Sequence, residues 1–216
     1  TYKSGAYNFK VSHTDKTEAK TYSVEDLPET IAEVLRRVSS GKQAVSSKTF
    51  GYGTTGLVRY EFIYRIVDGE KLIVSNNPFT FEPNPDYPRE LQPRLRERAA
   101  AELQVRQIAA GLLPDVLLVD FRSTDRGAPI IASDLVVESG NGRTMALVLA
   151  AHDAPAKFAE YVAALKRIAP AYALDPAEAD KFKVPVLVRE RLTPVNRKDF
   201  AQDCNAPVAL EQSAIE

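Results

Sequence analysis

The segment "ESGNGRTMAL", from Glu138 to Leu147, places two glycines, an asparagine, an arginine and a threonine between two apolar runs. Gly140 and Gly142 allow the backbone to take positive φ angles or to lie directly against a ligand. Apolar residues then return at helical spacing, so the pattern predicts a strand that ends here and a helix that begins here. Backbone amides and the positive end of the helix dipole meet at such a junction. The segment therefore predicts an anion-binding site.

The side chains of this turn extend the prediction. The guanidinium of Arg143 is a strong partner for phosphate oxygens, and Ser139 and Thr144 supply hydroxyl donors. Glu138 precedes the glycines and is a candidate to act through Mg²⁺ or a water molecule. The alternative is a structural strand-to-helix turn in which Arg143 pairs with a neighbouring carboxylate. Spacing alone leaves the two interpretations about equal.

Composition limits the class of protein. With 44% hydrophobic and 26% charged residues the chain is an ordinary globular protein, and its net charge of −1 gives no overall basic field for nucleic acid. A single cysteine excludes an intrachain disulfide, and two histidines are too few for a Cys–His zinc cluster. No apolar run approaches the ~20 residues that span a bilayer. We expect a cytoplasmic protein without membrane partners, either a homodimer or part of a larger polypeptide.

Hydrophobic periodicity predicts two regions. In the first, residues 1–80, apolar residues at helical spacing predict a helix over 31–38. Alternating residues over 57–67 and a run over 71–75, separated by Asp68-Gly69, predict a β-hairpin. We therefore expect an N-terminal helix-plus-hairpin subdomain of unknown role. A proline-rich connector leads into the second region, residues 81–216.

The second region interleaves strands and helices without a regular βαβ rhythm. This order predicts an α+β fold with a mixed sheet flanked by helices. Strands are predicted over 115–121, within 128–139, and over 184–192. Helices are predicted over 89–112 with one break, 144–151, 155–168, from 175, 198–204 and 210–216.

The segment "GYGTTG", Gly51 to Gly56, matches the GxGxxG pattern of dinucleotide sites. In those sites the glycines open a helix, because the pyrophosphate rests on helix amides. Here an alternating, strand-like segment follows instead. The pattern therefore predicts a loop rather than a cofactor site.

From Asn84 onward the order of several short boxes resembles the ParB/sulfiredoxin superfamily, most closely the DdrB-like ParB domains of phage and plasmid proteins. ParB proteins carry an "NP.QPR"-like box, a "G.l.Pi.V" segment, a glycine-arginine box, a "vPv.v" strand and an "ENLQR" box. The corresponding segments in this chain, in the same order, are "NPDYPRELQPR" (84–94), "AAGLLPDVLLV" (109–119), "GNGRTMA" (140–146), "VPVLV" (184–188) and "DCNAP" (203–207).

This resemblance implies a nucleotide site in which the glycine-arginine box wraps the phosphates, as CTP is held in ParB and ATP in sulfiredoxin. It implies a nucleoside triphosphate and Mg²⁺ as ligands, with CTP and ATP both open. Asn205 would help to hold the metal, and Gln92 and Arg94 would approach the same pocket. The residues that would line the phosphates are Gly140, Asn141, Gly142, Arg143 and Thr144.

The chain also departs from the family pattern. Gly142-Arg143 stands where ParB has two arginines, and Cys204 replaces the glutamate of the last box. Relatives that act as kinases or nucleases use an acidic residue near the first box or just before the glycines. Glu90 and Glu138 are the candidate catalytic residues here, and each has the alternative of a solvated or strand-end charge.

Three functions stay open from the sequence. The first is a nucleotide-binding domain of a mobile-element protein, with or without hydrolysis of the triphosphate. The second is a DNA- or partner-binding module with a degenerate pocket, in which the arginine-rich run over 89–106 contacts a DNA backbone or forms a solvated helix face. The third is a metal-dependent nuclease that uses Glu138 or Glu90.

Overall fold

The computed structural model describes residues 9–11, 20–22, 46–91 and 98–205. The chain divides into two compact units, residues 1–45 and 46–216. In the first unit, β1 (Phe9–Val11) and β2 (Lys20–Tyr22) pair as antiparallel strands. The helix predicted over 31–38 lies outside the described residues.

Five strands of the second unit form one sheet in the order β3-β4-β7-β5-β6. They are β3 (Lys48–Tyr52), β4 (Arg59–Asp68), β5 (Ile130–Ile131), β6 (Val137–Ser139) and β7 (Pro185–Arg191). β7 pairs with β4 as an antiparallel strand and with β5 as a parallel strand, so the sheet is mixed. The predicted α+β class with a mixed sheet is confirmed.

Five α-helices accompany the sheet among the described residues. They are α1 (Arg98–Ala110), α2 (Pro114–Leu117), α3 (Asn141–Asp153), α4 (Pro155–Ile168) and α5 (Arg197–Asn205). Short 3-10 turns occur at Gly69–Lys71, Arg89–Leu91, Ala169–Tyr172 and Pro176–Lys181. In the described part of the chain, no helix has the length and apolarity needed to cross a bilayer.

Helix α3 is deeply buried in the core. Every residue from Thr144 to Ala150 is buried, so this helix presents apolar side chains on all sides rather than along one stripe. Val186, Leu187 and Val188 of β7 are also buried in the main core. Each such aliphatic side chain contributes about 1.5–3 kcal/mol when it leaves water, so the start of α3 is anchored firmly to the sheet.

The hairpin predicted from residues 57–67 and 71–75 does not form. β4 has the predicted alternation, but its partners are β3 and β7. The prediction of a strand over 71–75 is wrong. Asp68 instead caps a 3-10 turn by accepting a hydrogen bond from Glu70 N at 3.2 Å. Ile73 then forms a single bridge with Val136. The side-chain cap redirects the chain before a second strand can form.

The β3–β4 hairpin belongs to the main sheet. β3 and β4 lie in the same sheet as β7, and the compact unit that contains them begins at Ser46. The division of the chain into domains at residue 80 stays a prediction. Within the described residues, strands from both sides of that point complete one sheet.

The first two residues of "GYGTTG" end β3, and the other four begin the connection to β4. No helix follows, so the predicted loop is confirmed for residues 53–56. The loop packs against α5 through Asp203, whose carboxylate accepts hydrogen bonds from Thr55 Oγ1 at 3.0 Å and Tyr60 Oη at 2.8 Å. A Cβ atom on Gly53 would lie 1.7 Å from Asp203 Oδ2. The glycine is therefore needed for close packing against α5, not for a cofactor.

The strand predicted over 115–121 is also wrong. This segment begins as α2, with Pro114 in the first turn, where the missing N–H of proline costs nothing. Val116 and Val119 are 50% and 47% exposed, so the apolar run does not mark a buried strand. The Pro114-Asp115 pair was the helix-start signal that outweighed the apolar composition.

Candidate functional site

The predicted strand-to-helix turn is present at the start of α3. Gly140 takes a left-handed conformation with a φ of 92°, and the helix begins at the next residue. No side chain caps this helix, and the first amide to bond within it is that of Thr144, which donates to Gly140 O at 2.9 Å. The amides of residues 141–143 therefore point out of the helix end, where an anion is their natural acceptor.

The guanidinium of Arg143 folds back over this turn. A Cβ atom on Gly140 would lie 2.7 Å from Arg143 Nη2 and 3.0 Å from its Nε, so glycine is needed to admit the guanidinium. Arg143 Nη1 donates to Gly127 O at 2.7 Å, which fixes the direction of the side chain. Its Nε and Nη2 groups have no partner among the described residues. They remain available to a ligand.

The charge of Arg143 is not neutralised within the described part of the chain, because no carboxylate there forms an ion pair with it. Desolvation of the guanidinium and the charge of Arg189 lower the pKa of Arg143 to about 10, so it stays positive at neutral pH. A cation at the positive end of a helix is electrostatically unfavourable unless an anion joins it. The turn thus has the charge of an anion site.

The loop over 120–128 supports Arg143, and Arg189 of β7 holds that loop. Arg189 is fully buried and donates to the carbonyls of Ala128 at 3.1 Å and Ser123 at 2.9 Å, and also to those of Phe121 and Arg126. Four carbonyls are thereby gathered around one planar guanidinium. Because Gly127 lies among them, Arg189 positions the acceptor that orients Arg143.

Three side chains that were predicted to line the phosphates form hydrogen bonds that hold the turn. Ser139 Oγ donates to Thr124 O at 2.9 Å, and Thr144 Oγ1 donates to Gly140 O at 3.2 Å. The Asn141 amide accepts from Ser75 N at 2.8 Å and donates to Tyr87 Oη at 3.0 Å. What residues 141–143 offer a ligand is therefore their backbone amides, together with the Arg143 guanidinium.

Glu138 is occupied by two arginines. Its carboxylate is 0% exposed; Arg191 contacts Oε2 at 2.8 Å and Oε1 at 2.9 Å, while Arg197 contacts Oε1 at 2.8 Å. Arg197 also pairs with the exposed Asp134. Both oxygens of Glu138 thus already accept hydrogen bonds from cations. To act as a metal ligand or general base, Glu138 would first have to give up these ion pairs.

The remaining predicted residues form no hydrogen bond with the turn among the described residues, or lie outside the described residues. Glu90 is exposed on a 3-10 turn and forms no hydrogen bond or ion pair with another described residue. Asn205 ends α5, and its amide donates to Ala201 O at 2.7 Å. Gln92 and Arg94 fall outside the described residues. Among the described residues, no three His, Cys, Asp or Glu side chains are grouped closely enough to hold a metal ion.

Sequence reasoning missed Arg189 and Arg191 as determinants of the site. The signal for both was the charged run Arg189-Glu190-Arg191 at the end of the apolar segment "VPVLV". A charge at a central strand position is rare unless it is paired or hydrogen-bonded, so the pattern could have indicated a buried network. Nothing in the sequence indicated which carbonyls or carboxylates would meet these arginines.

Two cavities lie elsewhere. One of about 650 Å³ is lined by Val148, Ala151 and His152 near the other end of α3, and one of about 370 Å³ is lined by Tyr52 and part of the 121–126 loop. Residues 140–144 line neither cavity. Gly140 to Arg143 are half-buried, so the turn is partly exposed at the surface.

The buried thiol of Cys204 leads to a prediction about alkaline stability. Cys204 is 1% exposed, and burial raises its pKa from 9.0 to about 12. Burial also raises the pKa values of Tyr60, Tyr64 and Tyr161 above their ordinary value. Between pH 9 and 12 the unfolded thiol loses its proton while the folded thiol keeps it, so the free energy of unfolding falls by up to about 1.4 kcal/mol per pH unit for each such group.

Denaturant titrations at pH 7, 9, 9.5 and 10 measure this effect. Well below pH 9 the groups are protonated in both states and contribute no slope. Cys204→Ser should remove about 1 kcal/mol of the fall between pH 9 and 10, because the buried tyrosines, whose ordinary pKa is 10.0, account for the rest. The native thiol should react with a disulfide reagent far more slowly than the unfolded chain. Rapid labelling of the native protein at pH 8 would contradict the buried, protonated thiol.

Most of the second compact unit matches a known family. The family model for the ddrB-like ParB superfamily domain matches residues 57–192, well over half of the chain. The match begins earlier than the expected resemblance from Asn84, and it ends before the "DCNAP" box. No curated protein and no solved structure shows a significant match. The matched segment contains β4 to β7, the turn at Gly140 and Arg143, and on this evidence the chain belongs to the ddrB-like ParB superfamily.

Proposed function

We propose that this domain binds the phosphate groups of a nucleoside triphosphate at the turn from Gly140 to Thr144. The observation that carries the proposal is the half-buried cation of Arg143, which lies over an uncapped helix start and has no carboxylate partner in the described chain. An anion would satisfy both the free amides and the free guanidinium N–H groups. Phosphate is the anion that such a helix start and a forked guanidinium bind well.

Each group has a distinct role in the proposed complex. The amides of residues 141–143 donate to one phosphate group, and Nε and Nη2 of Arg143 donate to the same group or to its neighbour. Gly127 O keeps the guanidinium over the turn, and the side chains of Asn141 and Thr144 hold the backbone in place. CTP and ATP both carry these phosphates, so the turn from Gly140 to Thr144 does not select the base.

We propose that the domain binds the nucleoside triphosphate without hydrolysing it rapidly. Hydrolysis needs a group that activates water, and the carboxylate of Glu138 is neutralised by Arg191 and Arg197. The predicted magnesium ligands do not form a ready site, because the oxygens of Glu138 are occupied. If Mg²⁺ accompanies the nucleotide, phosphate oxygens and water would have to supply its ligands. We also propose a role in a phage or plasmid protein, and only the family membership supports this part of the proposal.

A thermal-shift screen of the four nucleoside triphosphates, with and without Mg²⁺, tests the proposal. Ligand at 100 times its dissociation constant adds about 2.7 kcal/mol of stability, which raises the melting temperature by roughly 5–10 °C for a domain of this size. Arg143→Ala should abolish the shift. Arg167→Ala, an exposed arginine on α4, is the matched control and should keep it. If no triphosphate shifts the melt, or if both variants respond like the parent protein, the proposal is wrong.

A further inference from the structure

The solvent side of the β3–β4 hairpin carries exposed aromatic and basic residues. Alternate residues of each strand are buried, and those between them face solvent in full or in part. The register places Tyr52 opposite Arg59 and Phe50 opposite Glu61. We call the outward-facing set the hairpin face: Lys48, Phe50, Tyr52, Arg59, Glu61, Ile63 and Arg65.

Two arginines lie over one aromatic ring at this face. The guanidinium carbons of Arg59 and Arg122 are 4.3 and 4.2 Å from the centroid of the Phe50 ring. Tyr52 contacts Phe50 edge to face, with 5.9 Å between ring centroids, and is 39% exposed. The Phe50 ring therefore holds two guanidinium planes in place beside a second, accessible ring. Both guanidinium groups and aromatic rings are surfaces on which nucleobases stack.

The charges of the hairpin face leave donors available for phosphates. Arg59 approaches Glu61 only to 3.7 Å, and both side chains are more than half exposed. Arg122 contacts Asp120 at 3.3 Å through Nη1, so its other nitrogens remain over the Phe50 ring. Exposed pairs of this kind are worth about 0–1 kcal/mol, so water or a phosphate readily replaces them.

We propose that the hairpin face binds single-stranded nucleic acid. A base stacks on the ring of Tyr52, and Arg59 and Lys48 contact the neighbouring phosphates. An open sheet face with exposed rings and flanking cations suits splayed bases, whereas an acidic peptide would use the cations but not the rings. This surface is distinct from the turn at Gly140, and its function does not depend on nucleotide binding there.

Fluorescence anisotropy with a labelled 20-nucleotide oligo(dT) tests the proposal at several salt concentrations. Tyr52→Ala should weaken binding about tenfold, and Tyr52→Phe should restore it, because the ring rather than the hydroxyl stacks. Arg59→Ala should lower the slope of log affinity against log salt by about 0.7, the value for one phosphate contact on a single strand. Phe79→Ala, also an exposed aromatic, and Arg167→Ala should bind like the parent protein.

Three outcomes would overturn the proposal. The first is the absence of oligonucleotide binding at 50 mM salt. The second is binding that responds equally to the hairpin and control variants, which would place it on another basic surface. The third is tighter binding to a duplex, or to an acidic peptide, without an effect of Tyr52→Ala. Arg143→Ala should leave oligonucleotide binding unchanged, so failure here is separate from failure of the nucleotide site. Melting curves of each variant establish that it is folded.

Discussion

Glu138→Ala is expected to destabilise the protein by about 3–5 kcal/mol, because it leaves Arg191 and Arg197 without the carboxylate they share. Arg191 is only 11% exposed, so water cannot replace the lost partner. Domains of this kind have total stabilities of about 5–15 kcal/mol, so the variant should lose a large part of its stability. Urea denaturation at pH 7 measures the difference.

Asp134→Ala is the matched control for this experiment. Asp134 also pairs with Arg197, at 2.8 Å, but its carboxylate is 49% exposed. Its removal should cost less than about 1 kcal/mol. If Glu138→Ala is no more damaging than Asp134→Ala, the buried ion-pair network is not what holds β6, β7 and α5 together. A loss of any activity in Glu138→Ala would be informative about catalysis only after this loss of stability has been measured.

Arg189→Met should have a comparable effect, a loss of about 3–5 kcal/mol, because four carbonyl groups lose the buried guanidinium that donates to all of them. Arg189→Lys should not rescue the protein, since an ammonium group cannot reach carbonyls that surround a planar fork. The 120–128 loop should loosen, and Arg143 should lose its fixed acceptor at Gly127. Denaturant unfolding and amide exchange over this loop measure both effects.

Arg126→Ala controls for the loop itself. The Arg126 side chain is 68% exposed and its nearest acid is 3.9 Å away, so its removal should change stability by less than about 0.5 kcal/mol. A stable Arg189→Met variant with normal nucleotide binding would show that the loop does not depend on the buried guanidinium. It would also show that Arg189 does not position Arg143.

The sequence predicted best those elements whose pattern was long and unambiguous. The helix over 155–168, the strand over 184–192 and the strand–turn–strand within 128–139 are confirmed as α4, β7 and the β5–β6 pair. Their local pattern and their tertiary environment agree, because apolar residues at the matching period face the core. The predicted start of α3 at residue 144 was three residues late, because an uncapped glycine turn gives no side-chain signal.

The two wrong strand predictions fall on apolar segments that have neither a helical nor an alternating pattern. The runs over 71–75 and 115–121 contain β-branched residues, yet the cap by Asp68 and the start at Pro114 decided the local structure. The pairing of the strands was a separate difficulty for prediction. Neighbours in sequence were assumed to pair, whereas β4 pairs with β7, more than a hundred residues away. No local pattern encodes such a register.

The strand-to-helix turn was predictable in its position, but the contacts of its side chains were not. The Arg143 guanidinium lies over the turn at Gly140, and phosphate binding there stays a prediction. Ser139 and Glu138 look like ligands in the sequence, and only the three-dimensional partners, a carbonyl for one and two arginines for the other, show that they are engaged. Polar residues next to a functional turn often hold its backbone.

A crystal structure of the protein with a non-hydrolysable nucleoside triphosphate would show whether the turn at Gly140 binds phosphate. We expect a phosphate group whose oxygens lie within about 3 Å of the amides of residues 141–143 and of the Arg143 guanidinium, with Gly127 O still contacting Nη1. Phosphates bound elsewhere on the chain, or an Arg143 that turns away from the ligand, would contradict this expectation.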